Sequence, residues 1–149
     1  MSRHLLAGLL LATPLAFAAS PEQTFLDTLT AQTLLPRYAT LNTQSRQLAT
    51  SLQQLCQRQD GASLTAAREQ WRQGYRSWMA VAPLNWGTSA ELRSQRVIAF
   101  KPTRVALVEQ AVSDNLGRSQ ESYDEAGAAA KGFTAIEYVT KFFANCLTR

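Results

Sequence analysis

Thr134 and Glu137 stand three residues apart in Gly132-Phe133-Thr134-Ala135-Ile136-Glu137-Tyr138. On a helix this spacing brings a hydroxyl and a carboxylate onto one face. A threonine hydroxyl is a poor ligand for a transition metal at neutral pH, and carboxylates alone favour hard cations, Ca²⁺, Mg²⁺ or Fe³⁺, over a zinc ion held for proteolysis. Glu69 and Glu109 are further carboxylates that a site here could draw on. The only histidine is His4, and no His-Glu-x-x-His motif is present, so no catalytic residue is assigned. The same residues also satisfy Ser/Thr-x-x-Glu, a capping box in which Thr134 and Glu137 take up free backbone donors and Gly132 eases the entry turn. Glu137 can equally pair with Lys141 one turn later. A helix starting earlier would place Thr134 in its interior, so a structural pairing, a metal contact and a partner contact all stay open for Glu137.

Cys56 and Cys146 are the only cysteines. In an oxidising compartment an isolated pair is expected to be bridged. Closing a loop of about 90 residues would stabilise the fold by up to about 4 kcal/mol in the chain-entropy description. The alternative is two buried thiols on helices that never meet.

The compartment is suggested by the start of the chain. Arg3, the apolar run Leu5 to Phe17 and Ala16-Phe17-Ala18 read as a secretory signal cleaved after Ala18. Residues 1–18 are therefore expected to be an address, and residues 19–149 one periplasmic domain. The apolar run is shorter than the roughly 20 residues of a membrane span, and no later segment qualifies, so no transmembrane segment is expected. No cysteine follows the run to carry a lipid anchor. The net charge of +4 is too mild to indicate nucleic acid as a partner. Arg68, Arg72 and Arg76 recur every four residues, a solvated helix face or, alternatively, an anion-binding stripe.

Helices must position these groups. Residues 22–58 carry Tyr38, Leu41, Ser45, Leu48, Leu52 and Leu55 at steps of three and four, with a kink expected near Leu34–Leu35 because of Pro36. Residues 63–82 form the clearest helix, with Ser63 as its cap, Trp71 and Trp78 in its apolar stripe and Pro83 as its stop. Residues 83–102 read as a long connection with a short extended piece at Arg96–Phe100. Residues 103–116 return to helical periodicity, with Gly117 at the C′ position. A final helix starts at Glu125 or Gly132 and runs to Leu147. The predicted fold is all-α: an up-and-down-like four-helix bundle with one long crossover loop.

The order of several segments resembles the N-terminal half of the imelysin-like family. These are Leu55-Cys56 closing the first long helix, Trp71-Arg72-Gln73-Gly74-Tyr75-Arg76-Ser77-Trp78, Leu84-Asn85-Trp86-Gly87, Arg96 to Pro102, and Gly132 to Tyr138. The last is similar to the family's Gly-x-His-x-x-Glu, with Thr134 in the place of its histidine. The resemblance implies a metal at the positions of Thr134 and Glu137, a link to iron or another divalent or trivalent metal, and the metallopeptidase activity of the family's name. It also implies two related bundles, one of them a missing second bundle here, its place left to a partner or to a second copy in a homo-oligomer. Taken with the residues, the expectation is a non-catalytic periplasmic domain with a binding or accessory role in metal uptake. The alternatives are a metallopeptidase-like enzyme with an altered site, and a helical interaction module or truncated family fragment.

Overall fold

The computed structural model describes residues 20–114 and 119–147, with side chains described as far as Lys141. The signal segment and Gly117 lie outside the described residues.

Helix α1 (Pro21–Leu29) starts at Ser20, whose hydroxyl accepts from the Gln23 amide at 3.2 Å. Residues Thr30–Leu34 form one widened π turn, closed by the Leu35 amide donating to the Thr30 carbonyl. The cause is two residues further on. Pro36 has no amide hydrogen and its ring crowds the carbonyl four residues back, and the wider turn carries the helix past it. The expected kink is thus a widened turn between α1 and α2 (Leu35–Arg58).

Gln59, in the left-handed conformation at φ 51°, ends α2 by donating to the Leu55 carbonyl. The next residue starts α3 (Gly61–Val81). Asp60 is the cap, its carboxylate accepting from the Ser63 amide at 2.7 Å while the Ser63 hydroxyl reaches back to the Asp60 amide at 3.4 Å. Ser63, expected to be the cap itself, is the third residue of a capping box. The turn is tight enough that α2 and α3 pack along their lengths, and the Arg37 guanidinium donates across to the Ala80 carbonyl.

The segment from 83 to 102 is more ordered than expected. Gly87, at φ 55°, leads into α4 (Thr88–Glu91), and Arg93, also left-handed, separates it from α5 (Ser94–Ile98). The extended piece expected at Arg96–Phe100 is helical as far as Ile98, because Gln95 anchors the turn by donating its side-chain amide to the Ala82 carbonyl. Helix α6 (Val105–Ser113) follows. The polar stretch after it forms α7 (Gln120–Glu125), capped by Ser119, and a 3-10 turn over Ala128–Ala130 leads to α8 (Gly132–Leu147).

The architecture is all-α, with no strand among the described residues. Helix α3 packs against both α2 and α8, and α6 packs on α8 and the 3-10 turn. Leu48, Trp78, Val81 and Phe133 form the main core, and Leu55, Leu64 and Ala67 a second one near the α2–α3 turn. Trp78 is a core residue as its spacing predicted, whereas Trp71 is only half-buried and has a more specific task. No described helix is long and apolar enough to cross a membrane.

Candidate functional site

The motif region is built where α8 meets α3. The Trp71 indole nitrogen donates to the Phe133 carbonyl at 2.8 Å, and the Phe133 ring meets Tyr75 edge-on at 5.7 Å between centroids. Trp71 stacks on Tyr75 at 5.1 Å. Gly74 makes room for this contact: a Cβ there would lie 3.0 Å from the Phe133 ring. Gly132 is required for two reasons. Its φ of +74° is one that side-chain-bearing residues rarely adopt, and a Cβ would fall 2.2 Å from the Ile98 carbonyl oxygen at the end of α5.

Helix α8 therefore begins before Thr134, and the capping-box reading of Thr134 and Glu137 gives way to an interior position. Thr134 is buried, and its hydroxyl has no hydrogen-bond partner among the described residues. An unpaired buried hydroxyl costs about 1–3 kcal/mol on mutational scales. Glu137 instead accepts from Lys141 at 2.6 Å, the one-turn pairing anticipated from the sequence.

Glu137 lies in a cleft of about 340 Å3 lined also by Arg68, Trp71, Arg72, Thr140 and Lys141. Arg68 donates to the Thr140 carbonyl at 3.1 Å. Arg72 pairs with Glu69, and hydrogen bonds from Arg72 and then Gln73 hold the Glu69 carboxyl below its ordinary range. The stripe expected to be a solvated face is thus split. Arg68 crosses to α8, Arg72 is held on its own helix, and Arg76 is exposed on another cleft near Arg37. The Arg68 contact was not anticipated, though the four-residue recurrence was its signal.

The cations around Glu137 are already engaged, Lys141 with Glu137 itself, Arg72 with Glu69 and Arg68 with the Thr140 carbonyl. Three positive groups line its cleft, and Thr134 is not among the lining residues. Glu109 is engaged elsewhere, accepting from the Tyr138 hydroxyl, which raises the Tyr138 pKa above that of a free phenol. Among the described residues no three His, Cys, Asp or Glu side chains cluster as metal ligands do. The donor set does not fit a resident metal at Glu137. Of the expected Cys56–Cys146 bridge, one end is described. Cys56 is an exposed thiol on α2 with no sulfur partner among the described residues, and the Cys146 side chain lies outside them.

The imelysin family of peptidase M75 matches the chain over residues 34–139. That span takes in α2, α3 and the start of α8 with its Gly132–Tyr138 motif. The chain belongs to the imelysin family. No curated protein and no solved structure matches it. Within the matched span, Gly132 and Phe133 dock α8, and Thr134 is buried one turn before Glu137.

Proposed function

We propose that this imelysin-family chain is a non-catalytic periplasmic binding domain with an accessory role in the handling of iron or another metal. Its contribution comes through contact with a partner or ligand and not through a metal held in its own motif. The observation that carries this reading is the state of Glu137. Its carboxylate is neutralised by Lys141 and shares its cleft with Arg68 and Arg72, while its neighbour one turn back is a buried threonine. Hydrolysis at a metal needs several preorganised ligands and an open position, and this cleft supplies one paired carboxylate.

Calorimetry with Fe³⁺, Zn²⁺ and Cu²⁺ on the wild type and on Glu137→Ala tests this. No one-site uptake that depends on Glu137 is expected. Stoichiometric uptake lost in Glu137→Ala, or chelator-sensitive cleavage of a peptide library, would overturn the reading and restore Thr134 and Glu137 as ligands. The periplasmic part predicts recovery from the periplasmic fraction with Ala19 as the first residue. It also includes the Cys56–Cys146 bridge, for which alkylation without prior reduction should add no mass. Two alkylated thiols would remove the bridge.

A further inference from the structure

The opposite flank of α8 borders a second cleft of about 430 Å3, a volume within the range of small-molecule sites. Four parts of the chain enclose it: the end of α2, α6, the α7–3-10 segment and α8. Its walls are dominated by Leu52, Leu55, Val108, Ile136 and Val139. The Thr140 hydroxyl, which also borders it, is spent on the Ile136 and Glu137 carbonyls of its own helix.

One fixed charge belongs to this apolar space. The Lys131 ammonium lies 4.5 Å from the centre of the Tyr123 ring and donates to the Asp124 carbonyl at 3.2 Å, and both Lys131 and Tyr123 border the cleft. No carboxylate among the described residues lies within 4.0 Å of it. A ring and a carbonyl thus hold the ammonium in position without neutralising it, which leaves donors for an incoming anion. Apolar walls with one oriented cation complement a molecule with an apolar tail and a single negative head.

We propose that this cleft binds a single-chain carboxylate amphiphile, a free fatty acid, with its head on Lys131 and its tail between α2, α6 and α8. This is independent of the Glu137 cleft and of any metal.

The test is calorimetric titration of the mature protein with decanoate below its micellar concentration, alongside decylammonium, which keeps the tail and reverses the head. One saturable decanoate site is expected, with decylammonium at least tenfold weaker. Lys131→Glu should weaken decanoate at least tenfold and tighten decylammonium. Lys131→Gln, which keeps a hydrogen-bond donor, should weaken decanoate less. Val139→Asp, at a partly exposed cleft position, should weaken decanoate without touching Lys131. Circular dichroism checks that each variant is folded.

Absence of saturable binding, several equal sites, or decanoate affinity within twofold of wild type in both Lys131 variants would overturn the proposal. So would a two-copy mass by light scattering that Val139→Asp converts to one copy with no decanoate uptake, which would give the cleft to a second copy of the chain.

Discussion

The Trp71 indole is hydrogen-bonded to the Phe133 carbonyl in the first turn of α8, at 2.8 Å and across 62 positions of sequence. It joins the middle of α3 to the start of the motif helix and aligns the cleft that Glu137, Arg68 and Arg72 share. Trp71→Phe keeps an aromatic ring for stacking on Tyr75 but loses this donor. A stability loss of about 1–2 kcal/mol is expected, read from the urea midpoint. An unchanged midpoint would mean that the bond does not help to dock α8.

Gly132→Ala should be the most damaging small change in the motif. It adds a Cβ at φ +74° against the Ile98 carbonyl. Left-handed strain alone costs about 1–3 kcal/mol, and the backbone contact cannot be relieved by a side-chain rotation. Loss of about 3 kcal/mol or more in the denaturant transition is expected. A variant as stable as wild type would show that α5 and α8 are not pressed together.

Thr134→Val should stabilise the protein. The shape is nearly kept, helix propensity is similar, and the unpartnered buried hydroxyl is removed. A gain of about 1 kcal/mol is expected, measured as a higher thermal midpoint. Destabilisation would show that the hydroxyl has a partner in solution.

Stability should fall in acid partly through Asp60. Hydrogen bonds from the Ser63 amide and then its side chain hold the Asp60 carboxyl below its ordinary value of 3.8. The stabilisation is therefore full above about pH 4 and is lost as pH falls through the lowered folded-state pKa. Asp60→Asn keeps a capping oxygen but does not titrate, so its urea midpoint should change less between pH 5 and pH 2. Parallel profiles for the two proteins would remove Asp60 from the acid response.

Periodicity made the long helices legible, since Leu48, Leu55 and Trp78 face a core that only helical spacing produces. Pro36 marked its own disturbance for the same local reason. Helices α4 and α5 were missed because four or five residues are too few to show a period, and a contact from distant Ala82 helps hold α5. At the motif, Glu137–Lys141 was readable as a one-turn pair. The capping-box alternative failed because what sets the start of α8 is the approach of Ile98 to Gly132, a contact across more than thirty residues. Lys131 carried no sequence signal at all, since its meaning depends on Tyr123 and on the apolar walls beside it.

Thr140 borders both clefts, and its carbonyl receives Arg68. Helix α8 is therefore a party wall between a charged room and an apolar one. The partition is one helix thick, and at Thr140 a single buried residue faces both sides of it.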